Sequence, residues 1–174
     1  MPKNLYFRSY GANHTGLIGE LLGRHAEPGD VFLLVGDLGS GKTRLTKGIA
    51  KGLDIKEEIR SPTFVLVTSL FGRMPLYHID LYRLDHVAEV LDIGLEEYMG
   101  ADGVSAIEWA DRAIEAFEHD VLRIDFKYDG IRSRSITMNP TGQRYVNLLS
   151  KLRDSIDRTQ GLTDLKKTLS WFEA

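Results

Sequence analysis

The sequence contains no cysteine. That excludes a disulfide framework and every thiolate metal site, and it suits a reducing compartment. No apolar run approaches the ~20 residues that a membrane-spanning helix needs. The opening segment MPKNLYFRSYG lacks the apolar stretch of a secretory signal. The expectation is therefore a cytoplasmic protein with no membrane association. Excess basic charge is missing too: the formal net charge is −3, which argues against a general nucleic-acid binder, whose footprint is basic. Internal repeats and low-complexity tracts are absent. What is there is a chain of 174 residues, 43% hydrophobic and 27% charged. That is the composition of a globular domain, long enough to bury roughly 70% of its unfolded surface without staples.

Hydrophobic patterning predicts an α/β chain. NLYFRSY reads as a strand, and Leu17, Ile18, Leu21 and Leu22 recur at helical spacing until EPGD. VFLLVG is a short continuous apolar run, the form of a strand buried on both faces. Leu45, Ile49 and Leu53 mark one face of a helix starting near Lys42. TFVLVTSL and PLYHIDL are separated only by FGRM. That short break predicts an antiparallel hairpin, because a parallel pair needs a crossover of a dozen or more residues. A helical stretch around HVAEVLDIGLEEYM precedes the strand VSAIEW. In VLRIDFKYDGIRSRSITM the central Asp129-Gly130 predicts a second hairpin. Two helical patterns close the chain: Tyr145, Leu148, Leu149 and Leu152, then Leu162, Leu165, Leu169 and Phe172. The fold class is α/β, a mixed sheet with parallel strands plus antiparallel hairpins.

The segment GDLGSGKT has the form G-x-x-x-x-G-K-[ST], between a buried strand and a helix. Its glycines let the backbone of Asp37, Leu38, Gly39, Ser40 and Gly41 turn so that successive N–H groups point at phosphate oxygens. The following helix N-terminus adds roughly half a positive charge. In such a loop Lys42 reaches the β- and γ-phosphates and the Thr43 hydroxyl ligates Mg²⁺. This is a nucleotide site.

A phosphate loop needs a second anchor for magnesium, normally an acid at the end of a neighbouring strand. Asp80 closes LYHID and Glu108 closes VSAIE. One acid binds the metal, directly or through water, and the other orients the attacking water; spacing leaves both assignments open. In RSPTF, Thr63 is a candidate contact for magnesium or the γ-phosphate, and Ser61 for ordering the loop. His78 shares a strand face with Asp80, near the phosphates or as a core histidine. Trp109, next to Glu108, points to the opposite face if the strand is regular; it is core on that far face or, where the strand ends, a surface anchor, and the sequence favours core. Arg60, Arg83 and Arg112 are candidate transition-state cations. No N-K-x-D string is present to read guanine, and no arginine-rich lid of a small-molecule kinase.

Taken in order and at these spacings, GDLGSGKT, SPTF, YHIDLYRL and IEWADR resemble the TsaE (YjeE) family. These are bacterial P-loop ATPases of tRNA threonylcarbamoyladenosine modification. The likeness spans roughly residues 10 to 138. It implies a P-loop NTPase-like three-layer fold and ATP with Mg²⁺ as ligands. Its TsaD and TsaB partner subunits carry out the transfer and bring the protein to tRNA only indirectly. By the same likeness Lys42, Asp80 and Glu108 are catalytic, with Thr43, Asp80 and Glu108 about the metal. Ser61 and Thr63 belong to a switch-like loop, Trp109 is a motif residue, and Thr15 lies near the adenine. Arg44, at the loop's end, replaces a small or hydroxylated residue and borders the nucleotide. The boundary near Asn139-Pro140 gives a P-loop ATPase domain over residues 1–140 and a C-terminal helical extension over 141–174. The implied function is slow ATP hydrolysis that cycles the TsaD–TsaB transferase. The alternatives are a P-loop small-molecule kinase and an ATP-dependent assembly module without essential hydrolysis.

Overall fold

The structure, a computed structural model, describes residues 3–59, 66–84, 89, 92, 94–99, 102–117 and 120–173. Among the described residues eight strands form one sheet: β1 (Lys3–Ser9), β2 (Val31–Val35), β3 (Val67–Phe71), β4 (Pro75–Asp80), β5 (Val104–Glu108), β6 (Leu122–Tyr128), β7 (Arg134–Pro140) and β8 (Ser170–Glu173). Their spatial order is β3-β4-β5-β2-β6-β7-β1-β8. The apolar run VFLLV lies at the centre as β2, parallel to β5 on one side and β6 on the other. Strand β4 is parallel to β5. The pairs β3–β4 and β6–β7 are antiparallel hairpins, as the short breaks between them predict.

Alternation along β2 feeds two cores. Phe32 and Leu34 join Leu122, Ile124, Ile136 and Met138 under the helices α1 (Ala12–His25), α2 (Lys42–Gly52) and α3 (Gly142–Arg158). Val31 and Leu33 join Ile79 and Ile107 on the opposite face. There, among the described residues, the 3-10 segments Leu95–Glu97 and Ala110–Ala116 contribute Leu95, Ala110 and Ala113. The result is a mixed α/β sheet between two layers, with the P-loop type of strand–loop–helix at its middle.

Helices α1 and α2 meet backbone to backbone. A Cβ built on Gly19 would lie 2.2 Å from the carbonyl oxygen of Leu45, and one on Gly48 would lie 2.2 Å from that of Gly16. Gly23 and Gly52 repeat the arrangement one turn on. The helix that begins at the glycine loop is thus seated directly on α1.

Helix α3 is tied to the entrance of β2. The Val31 N–H donates to Tyr145 Oη at 2.7 Å, and Arg144 forks onto the buried Asp30 carboxylate at 2.5 and 3.0 Å. Burial pushes the Tyr145 hydroxyl above the usual phenol range. Tyr145→Phe leaves the buried Val31 N–H without its acceptor. A loss of about 1–2 kcal/mol in chemical denaturation is expected, with the m-value unchanged.

Two patterns resolve differently from their periodicity. The terminal pattern Leu162, Leu165, Leu169 and Phe172 is helical only at α4 (Thr163–Lys166). Leu162 and Leu165 are buried there, and the chain then straightens into β8, antiparallel to β1. An edge of β1 open to pairing outweighs helix continuation over so short a run. The HVAEVLDIGLEEYM segment lies partly outside the described residues; Leu95–Glu97 within it is a 3-10 turn rather than an α-helix.

Candidate functional site

The site forms at the carboxyl ends of the parallel strands, where β2 gives way to the glycine loop. Gly41 caps α2 with φ 114°, a conformation that L side chains rarely adopt. The loop is closed from inside by Lys42, whose ammonium donates to the carbonyls of Gly36 at 2.5 Å and Asp37 at 2.9 Å. Burial holds that ammonium below the ordinary lysine range, opposed by the charges of Glu108, Asp111, Asp80 and Asp37. Ser40 Oγ is buried in the loop and has no hydrogen-bond partner among the described residues. An unpartnered hydroxyl in a glycine cradle at a helix mouth is a fit for phosphate oxygens.

Glu108 and Thr43 meet across the cradle, although they are 65 positions apart: the Thr43 hydroxyl donates to Glu108 Oε2 at 2.8 Å. Strand β5 is the immediate neighbour of β2, so the last residue of β5 faces the first turn of α2. Glu108 is only 2% exposed. Its other oxygen, Oε1, accepts from Thr46 at 3.3 Å and lies 2.9 Å from His78 Nε2. His78 is 1% exposed and its Nδ1 has no partner among the described residues. The core and site readings of His78 thus merge: it is a buried histidine that positions a site carboxylate.

Asp80 pairs in register with Glu108 across β4 and β5, so both side chains leave the same face of the sheet, about 4.8 Å apart at the backbone. It sits half-buried at the rim, accepting the Tyr82 N–H at 2.9 Å. Burial pushes its carboxyl above the ordinary aspartate range, an effect that Glu108 reinforces. The ionised form is therefore disfavoured by folding. Its contribution to stability is full below the unfolded pKa and is lost as the pH rises through the folded one. Asp80→Asn is expected to raise the melting temperature of the ligand-free protein at pH 7.5. The gain should narrow as the pH falls toward the ordinary carboxylate range.

Trp109 keeps a core contact, packing partly buried against the cluster of Ile79 and Ile107, and adds a site contact. The strand ends at Glu108, and Trp109 takes a left-handed conformation with φ 60°. That turn brings Trp109 to the same site as Glu108. Its partly buried ring carries Lys42 Nζ 3.7 Å above the centroid and stacks on Tyr82 at 4.9 Å. Arg112 donates to the Leu84 carbonyl at 2.9 Å beside the same two rings. Arg83 is exposed.

Thr15 is buried beneath the loop, its hydroxyl 2.8 Å from that of Ser9. Arg44 is exposed and leans back over α1, donating to the Ala12 carbonyl at 3.0 Å. Asp37, Leu38 and Gly39 form the exposed outer bend of the loop. Arg60, Ser61 and Thr63 lie outside the described residues. Among the described residues no group of three or more His, Cys, Asp or Glu side chains is arranged to hold a metal ion by itself. One hydroxyl and one or two carboxylates suit magnesium, which keeps several of its waters. Sequence reasoning missed Thr46, although it is three residues beyond Thr43 and so on the same helical face. It also missed Tyr128 and Arg134, which reach the loop from the β6–β7 hairpin. Their Oη and Nη2 lie 2.7 Å and 3.4 Å from the carbonyls of Leu38 and Gly39. No local signal marks such a contact.

Comparison with known proteins gives a consistent answer. The family model described as threonylcarbamoyl adenosine biosynthesis protein TsaE matches residues 10–136. The tRNA threonylcarbamoyladenosine biosynthesis protein TsaE of Bacillus subtilis is 41% identical over 151 residues, covering 86% of this chain and 94% of the relative. The TsaE of Treponema pallidum is 40% identical over 130 residues, covering 75% and 96%. A crystal structure of Bacillus subtilis YdiB superposes with a TM-score of 0.78 at 37% identity, covering 89% of this chain and 97% of that one. Among the described residues no helix is long and apolar enough to cross a membrane.

Proposed function

Because the chain belongs to the TsaE family of threonylcarbamoyladenosine biosynthesis proteins, we propose that it binds ATP with magnesium at the glycine loop and hydrolyses it slowly. The hydrolysis cycles a TsaD–TsaB transferase complex that acts on tRNA. The observation that carries this reading is the Thr43–Glu108 contact at the mouth of α2. It joins the hydroxyl expected of a magnesium ligand to an acid from the neighbouring strand.

In the reaction, water attacks the γ-phosphorus in line, the bond from phosphorus to the β–γ bridging oxygen breaks, and ADP and inorganic phosphate leave. Backbone N–H groups of residues 39–43 hold the phosphates, and the Lys42 ammonium meets charge developing on the γ-group. Magnesium, when bound, neutralises phosphate charge and fixes its orientation. Glu108, locked by Thr43, Thr46 and His78, belongs to the metal side of the site. Asp80, one strand further out and half-buried, is placed to orient the water and accept its proton. Trp109 walls the site against solvent and stabilises the Lys42 ammonium through its ring face. Arg112 is engaged with the Leu84 carbonyl beside the rings of Tyr82 and Trp109. The reading includes slow turnover alone, raised by a partner.

Lys42→Ala is expected to abolish ATP binding by equilibrium dialysis. In cells carrying only that variant, threonylcarbamoyladenosine in bulk tRNA should fall to the level seen on depletion of the protein, as measured by mass spectrometry. Unchanged modification after complete depletion would remove the assignment. A small-molecule kinase would instead consume ATP only with an acceptor. An assembly module would keep cellular function in a variant that binds but does not hydrolyse.

A further inference from the structure

The tip of the β6–β7 hairpin is not part of the chemistry, yet it touches the phosphate loop twice. Tyr128 ends β6 and Arg134 opens β7, and the two are register partners. Tyr128 Oη donates to the Leu38 carbonyl at 2.7 Å, and Arg134 Nη2 donates to the Gly39 carbonyl at 3.4 Å. The Arg134 guanidinium stacks on the Tyr128 ring at 4.1 Å. The outer side of this arrangement exposes three large apolar side chains. Ile131, at the tip, is 97% exposed, Leu38 in the loop is 73% exposed and Tyr128 is 50% exposed. None of the three packs into either core. Around them the hairpin carries Lys127, Arg132 and Arg134, while Asp129 is engaged with Arg8.

We infer that this hairpin tip is the surface through which a partner protein is read by the nucleotide site, Ile131 being its apolar anchor and the basic side chains its rim. The partner chemistry that fits is an apolar pocket ringed by carboxylates. A second copy of this chain is the poorer occupant, because a two-fold contact would set Lys127, Arg132 and Arg134 against themselves. The coupling is mechanical. A partner that draws on Ile131 and Tyr128 moves the two donors that hold the Leu38 and Gly39 carbonyls. The N–H groups that would face phosphate belong to those same peptide segments. This deepens the proposed function and rests on its TsaD–TsaB partner.

The test uses the full chain with ATP and magnesium, titrated with purified TsaD–TsaB complex from the same organism. Ile131→Glu is exposed enough to leave folding and unstimulated hydrolysis unchanged, which a melting curve and a basal assay check. It should weaken binding roughly 30-fold or more, as expected for a central apolar anchor, and lose stimulation in proportion. Arg132→Glu should weaken binding less, and wild-type affinity should fall with salt. Tyr128→Phe should bind within about threefold but lose most of the stimulation, because the link to Leu38 is gone. Binding of Ile131→Glu at wild-type strength overturns the surface. Full stimulation of Tyr128→Phe overturns the coupling. A concentration-dependent dimer of the wild type that Ile131→Glu abolishes makes the occupant a second copy and also overturns the inference. If the wild type does not bind the complex at all, the partner reading itself fails, and the inference falls with it.

Discussion

Glu108→Gln is expected to lower ATP turnover about 10²-fold or more, the scale of losing one preorganised charge-stabilising group, while nucleotide affinity stays within a few-fold. The glutamine keeps the size of the side chain and an oxygen for the Thr43 hydroxyl at the position now 2.8 Å away. What it lacks is the negative charge and one acceptor. Oε1 now serves both Thr46 and His78; an amide nitrogen there still meets the Thr46 oxygen but faces a histidine nitrogen only if that ring presents its lone pair. Local packing therefore survives, and the deficit falls on charge. On the proposed reading, in which Glu108 serves the metal, the variant should also need a higher magnesium concentration for half-maximal turnover. Asp80→Asn should lower turnover without moving that magnesium requirement. Steady-state hydrolysis across a magnesium titration separates the two. The reverse pattern, with Asp80→Asn shifting the magnesium requirement, would exchange the roles of the two acids.

Gly48→Ala should destabilise the fold by about 3 kcal/mol, at the upper end of what overpacking a core usually costs. The added methyl would lie 2.2 Å from the Gly16 carbonyl oxygen and 2.9 Å from Gly19 Cα. Both are backbone atoms, so no rotamer change relieves the clash and α1 must move away from α2. For a domain of this size about 3 kcal/mol corresponds to a fall of roughly 6–12 °C in melting temperature. It is also a large share of the ~5–15 kcal/mol that holds a typical domain together. Lys47→Ala, one position earlier and exposed, should change stability by less than about 0.5 kcal/mol. The methyl lies two helical turns from Lys42, so ATP affinity should fall too in whatever fraction remains folded. A melting temperature of Gly48→Ala within a degree of wild type would mean that the helices have room to part.

Much of the site was legible because its signals are local. The glycine loop is one contiguous string whose geometry follows from its own residues, and the buried strand before it and helix after it are readable from periodicity. Asp80 and Glu108 each close an apolar run, and the carboxyl end of a strand in a parallel sheet is where a site forms. For Trp109 the core contact was readable from alternation, and its contact with Lys42 was not, because alternation holds only while the strand continues and the residue directly after Glu108 is left-handed. The β8 segment was misread because Leu162 to Phe172 is short, and short apolar runs do not distinguish helix from strand. The glycines of α1 and α2 read along the chain only as weak helix formers. Their purpose appears when two helices lie against each other without side chains between them.

By itself, then, the sequence determined what depends on neighbours in the chain: the phosphate cradle, the two hairpins, the parallel centre and the identity of the two acids. The tertiary structure alone decided which acid meets Thr43, that His78 and Thr46 fix that acid, that Trp109 turns toward Lys42, and that the far hairpin holds the loop's carbonyls. Backbone conformation and short turns are set by local sterics and hydrogen bonds. Contacts between residues dozens of positions apart are set by strand order, and strand order is a property of the whole sheet.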